Sequence, residues 1–159
     1  GRALLYARQY DSALEAGRKA LEIDPAFVPA HLSIGTAYEA KGMIGEAISE
    51  YQKFASAPGR TPLELMNIGR AQALAGKRSQ ALATVAEMKA LAARRYVSPA
   101  YMAWIYLTLG DKDQAFEWYG KACDDRSFDI LFLKTNPLLE SFRADPRFPD
   151  LARRAGLAP

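Results

Sequence analysis

Alanine recurs at a fixed step of 34 residues along the chain, at Ala13, Ala47, Ala81 and Ala115. Three more registers keep the same step. One runs Gly1, Gly35, Gly69 and Ala103. Another runs Arg8, Gly42, Gly76 and Gly110, and a third Asp11, Gly45, Ser79 and Asp113. A period of this size means stacked supersecondary units, none of which can bury its apolar face alone. Each unit reads as two helices. Ile34, Ala37 and Tyr38 fall at helical spacing, and Gly42, Gly76 and Gly110 stand where that first helix stops. Glycine suits the position because the residue after a helix often takes positive φ. Asp11, Gly45, Ser79 and Asp113 all belong to the residue types that cap a helix N-terminus, so a second helix is expected to start there. It carries the apolar pairs Ala13-Leu14, Ala47-Ile48, Ala81-Leu82 and Ala115-Phe116. Small residues in the Gly35 and Ala47 registers let the two helices approach closely. Tyr38, Tyr51, Tyr106 and Tyr119 are expected to fill the space between neighbouring pairs.

These units resemble the tetratricopeptide repeat, with its pattern W-x2-L-G-x2-Y, then A-x3-F, then P. The second unit reads Ile34-Gly35-x2-Tyr38 and Ala47-x3-Tyr51; the fourth reads Met102-Ala103-x2-Tyr106 and Ala115-x3-Tyr119-x2-Ala122. The first keeps Ala13, Ala20 and Asp24-Pro25. The third keeps Ile68-Gly69 and Ala81 but has Gln72 and Val85 where aromatics usually sit. His31 replaces the second unit's first large apolar residue. The resemblance implies an all-α, right-handed superhelical solenoid of helix pairs. It divides the chain into a partial repeat at 1–27, repeats at 28–61, 62–95 and 96–127, and a C-terminal helical cap at 128–159. Gly1 falls on a mid-helix register, so the chain is expected to be cut from a longer polypeptide. An apolar edge at Leu4, Leu5 and Tyr6 would then be open to self-association.

After Ala122 the period fails. Asn136-Pro137 and Asp145-Pro146 each pair a capping residue with proline at the first helical position, predicting two helix starts. Leu138, Leu139 and Phe142 would form one apolar face, and Phe148, Leu151 and Leu157 another. The wording Phe128-Asp129-Ile130-Leu131-Phe132-Leu133-Lys134 and Phe142-Arg143-Ala144-Asp145-Pro146-Arg147-Phe148 resembles the end of bacterial multidomain regulators. In those, a winged-helix, nucleotide cyclase or serine/threonine kinase domain precedes such repeats.

The composition closes off several functions. The chain has 159 residues, half of them apolar, about the size of one domain. Its net charge of +3 is spread out, with short basic clusters only at Arg94-Arg95 and Arg153-Arg154. That argues against nucleic-acid binding, which needs clustered positive charge. No stretch approaches the roughly 18 apolar residues of a membrane span. A single cysteine, Cys123, forms no intrachain disulfide, which fits a reducing compartment and a cytoplasmic location. His31 and Cys123 fall in different repeats at packing positions, Asp111-Asp113 and Asp124-Asp125 read as cap and surface charges, and no phosphate-binding loop occurs. No catalysis, metal, cofactor or small-molecule substrate is expected.

The resemblance places the first helix of each unit on the concave face. The expected inner residues are Ser33, Thr36, Glu39 and Ala40; then Asn67, Arg70, Ala73 and Leu74; then Tyr101, Trp104, Leu107 and Thr108. Arg2, Leu5 and Tyr6 join from the first unit, with Leu32 and Met66 one position earlier. Aromatics and arginine supply large contact area, and asparagine can hold a peptide backbone, so a protein or peptide ligand is expected here. The carboxylate clamp that grips acidic chaperone tails is matched only at Asn67. Leu32, Thr36, Val97 and Tyr101 carry no positive charge where the clamp's cations belong. Two rival roles are an accessory part of an enzyme whose chemistry lies upstream and a module that only self-associates.

Overall fold

The structure, a computed structural model, describes residues 9–54 and 61–157. Among the described residues, seven helices carry the repeat region: α1 (Tyr10–Ile23), α2 (Pro29–Ala40), α3 (Ile44–Phe54), α4 (Pro62–Leu74), α5 (Arg78–Ala92), α6 (Pro99–Thr108) and α7 (Lys112–Asp124). They pack as antiparallel neighbours, α2 on α3, α4 on α5 and α6 on α7, with α1 against α2. Successive pairs join through α3 on α4 and α4 on α6. This is an all-α solenoid of tetratricopeptide type.

Proline opens the first helix of each pair, at Pro29, Pro62 and Pro99, where its missing N–H costs nothing. Thr61 and Glu64 add a capping box: the Glu64 amide donates to the Thr61 hydroxyl (3.3 Å) and the Thr61 amide to the Glu64 carboxylate (2.7 Å). The first helices end in one repeated turn. Gly42, Gly76 and Gly110 take φ of 75°, 71° and 77°. The next residue's N–H reaches back to the carbonyl of Tyr38, Gln72 or Tyr106, each at 2.9 Å. Only a residue at ease with positive φ closes this turn cheaply.

The second helices start two residues earlier than the capping residue types suggested, at Tyr10, Ile44, Arg78 and Lys112. The register alanines donate the first helical bonds, to the carbonyls of Gln9, Met43, Lys77 and Asp111. For α3, α5 and α7 the cause is the glycine turn itself, whose back-bond delivers the chain directly into the next helix. Asp11, Gly45, Ser79 and Asp113 therefore lie within the first turn rather than before it. Asp111 is a side-chain cap, its carboxylate accepting from the Gln114 amide at 3.1 Å.

The close crossings fall where the period put them. Ala13, Ala47, Ala81 and Ala115 are fully buried. A Cβ on Gly35 would come within 2.7 Å of the Tyr51 ring, and one on Gly69 would run into Ile105 of α6.

Beyond α7 come two 3-10 turns, Phe128–Phe132 and Pro137–Leu139, then α8 (Glu140–Arg143) and α9 (Phe148–Arg154). Asn136 opens the second 3-10 turn as expected, its carboxamide accepting from the Leu138 amide at 3.0 Å. Asp145 holds a turn instead, accepting from the Arg147 amide at 3.1 Å, and α9 begins only at Phe148. The tail lies on α7. Phe142 is fully buried, stacked on Phe116 at 4.2 Å, with Tyr119 at 5.3 Å and Phe148 at 6.1 Å. Arg126, just past α7, is a non-glycine residue with positive φ, 51°.

Candidate partner-binding face

The candidate face is built on α2, α4 and α6, and its residues divide into those already occupied and those left for a partner. Arg70, at mid-α4, is 5 % exposed and sits at the centre of a polar hub. Its guanidinium pairs with the Glu39 carboxylate at the end of α2. Its Nε donates to the Thr108 hydroxyl of α6 at 3.4 Å. The Trp104 ring lies 4.7 Å from the guanidinium carbon and the Tyr51 ring 5.8 Å. Tyr51 of α3 donates its hydroxyl to the second Glu39 oxygen at 2.6 Å. Four helices thus meet at one cation. Burial opposes its charge, but Glu39 and Tyr51 outweigh that, holding the Arg70 pKa above the usual arginine value. Burial pushes the Tyr51 hydroxyl pKa up, so it remains a donor.

Tyr119 stands two periods after Tyr51, and its buried hydroxyl has no hydrogen-bond partner among the described residues. The reason is in the register: the place of Glu39 is taken in the fourth unit by Leu107. Asn67 is fully buried. Its amide nitrogen donates to the Leu63 carbonyl at 2.8 Å, while its oxygen has no partner among the described residues. Thr36 and Thr108 turn their hydroxyls back to the Leu32 and Trp104 carbonyls, at 2.8 and 2.9 Å.

Ser33, Leu32, Ala40 and Leu74 are partly exposed, as are Tyr101, Trp104 and Leu107. Met66 and Ala73 are buried with Asn67 and Arg70, so α4 is the covered spine and α6 supplies the accessible aromatics. Trp104 faces α4, while the tail packs on α7. Arg2, Leu5 and Tyr6, and the apolar edge at Leu4, lie outside the described residues. Sequence reasoning missed Tyr51 as a member of the hub. Its signal was Glu39, a carboxylate at a register that holds Leu107 in the fourth unit.

The other singled-out groups are engaged in packing. His31 Nδ1 lies 2.6 Å from the Glu50 carboxylate, joining α2 to α3, and Lys53 bonds the other Glu50 oxygen at 2.7 Å. Cys123 is buried, which raises its thiol pKa, with Sγ 4.0 Å from the Leu151 carbonyl. Among the described residues no three His, Cys, Asp or Glu side chains gather as metal ligands, and no helix is long and apolar enough to cross a membrane.

The tetratricopeptide repeat family pattern matches residues 102–124, from Met102 on α6 to the end of α7. The match falls on the α6–α7 pair, and the glycine turns at Gly42 and Gly76 repeat the geometry of its Gly110 turn in the two pairs before it. No curated protein matches the chain.

Proposed function

We propose that the array binds an extended segment of a protein partner along α2, α4 and α6, within a bacterial signalling or transcription-regulatory protein. The observation that carries this reading is the partly exposed Trp104, held on Arg70 by a contact that orients its ring before any ligand arrives. A rigid aromatic anchor loses little conformational freedom on binding, which is why such residues dominate interface energetics. Arg70 and Asn67 support the face from beneath, and Tyr101, Trp104, Leu107 and Leu74 offer it the contact. The regulatory setting is supported by the resemblance of the tail to the ends of bacterial multidomain regulators.

A peptide-display library selected on the intact chain supplies the ligand for a test. Trp104→Ala should weaken the selected peptide by about thirtyfold, equal to about 2 kcal/mol. Glu22→Gln, at an exposed site on α1, should leave affinity unchanged. Circular dichroism verifies that each variant is folded. Normal binding by folded Trp104→Ala would remove this face as the site.

A further inference from the structure

Each junction between helix pairs has one register place for an aromatic from the first helix. Tyr38 fills it on α2 and Tyr106 on α6, but α4 has Gln72. At the first junction the Tyr38 hydroxyl accepts from Arg18 of α1 at 3.0 Å, and Ile34 beside it is 4 % exposed. At the last junction Tyr106 is buried and Met102 is 2 % exposed. At the middle junction the shorter Gln72 side chain is drawn toward α5, where the Thr84 hydroxyl donates to it at 2.8 Å. A cleft of about 210 Å3 remains between α3, α4 and α5. Ile68, in the register of Ile34 and Met102, is left half-buried on its floor with Ile48 and the buried Ala71.

We propose that this cleft receives the side chain of a tyrosine presented by a protein partner, restoring from outside the ring that the third repeat lacks. The size fits, since an apolar cavity of about 150 Å3 holds benzene. The polar end fits as well. Gln52, one period after Arg18, stands on the rim where Arg18 binds the Tyr38 hydroxyl one junction earlier. Its carboxamide can donate to a phenol in the same way. The rim at Gln52 and Lys77 is exposed, so a ring attached to a backbone can enter from solvent. Tyr51 lines the cleft with its ring and bonds Glu39 of the Arg70 hub with its hydroxyl, so the cleft backs onto that hub, but Trp104 does not line it.

The test follows the Ile48 and Ile68 methyl resonances of the intact chain by NMR during titration with p-cresol and with N-acetyltyrosinamide. Both ligands should give saturable shifts at these methyls, with Kd of about 1–10 mM for groups this small. Gln72→Tyr fills the cleft from within. It should weaken both ligands by about tenfold or more while its unfolding midpoint stays at or above that of the parent. If that variant does not fold, Ala75→Leu at the rim narrows the cleft and should give the same loss. Glu22→Gln, at an exposed site on α1 away from the cleft, should leave these titrations unchanged. Absence of saturable shifts, or undiminished affinity in the filled variants, would overturn the proposal. Binding of p-cresol with exclusion of N-acetyltyrosinamide would overturn the assignment to a partner's side chain.

Discussion

Replacing Arg70 by methionine should be among the most damaging single changes in the array. Methionine keeps much of the side-chain volume and removes the charge. The Glu39 carboxylate, 10 % exposed, then keeps its bond from Tyr51 but loses its cation. Breaking a buried ion pair by removing one partner costs about 3–5 kcal/mol. The surviving Tyr51 bond puts the expected cost at the low end, about 3 kcal/mol. For a chain of this size that lowers Tm by about 6–12 °C. The double variant Arg70→Met/Glu39→Gln removes the orphaned charge and keeps an acceptor for Tyr51. It should recover most of the loss, giving a coupling of about 2 kcal/mol in a double-mutant cycle. Urea and thermal unfolding followed by circular dichroism measure both. A loss below about 1 kcal/mol in the single variant, or strict additivity in the cycle, would refute the hub as a stabilising centre.

Two further outcomes test the local geometry. Arg126→Gly removes a side chain from a left-handed backbone position on the exposed surface, and should raise stability by about 0.5–1 kcal/mol, read as a higher urea midpoint. Ala81→Leu overfills the crossing of α4 and α5, where Ala81 is fully buried, and should cost about 1–3 kcal/mol in the same assay.

What the period could encode was legible in the chain. Glycine at 42, 76 and 110 marks a turn because it takes positive φ at no steric cost, and an alanine at each crossing marks steric closeness. The helix starts were misplaced because capping preference was weighed without the back-bond of the preceding glycine turn. The hub was harder to foresee. Arg70 looked like a groove residue, since its helix position points inward, yet Glu39, Tyr51, Trp104 and Thr108 converge on it from three other helices. Asn67 likewise occupies an inner register but is fully covered. The oddity of Gln72 was visible in the sequence. The resulting cleft was not, because it depends on Thr84 turning the amide aside.

A partner segment seated on the inner face would lie against Trp104. The chain has two tryptophans, so Trp118→Phe leaves Trp104 as the sole indole reporter. Titrating this variant with a selected peptide, with affinity measured in parallel by calorimetry, reads that contact at the indole itself. A saturable blue shift or quenching of Trp104 emission, with a midpoint equal to the calorimetric Kd, is the predicted result. Calorimetric binding with unchanged Trp104 emission would contradict it and place the partner elsewhere on the array.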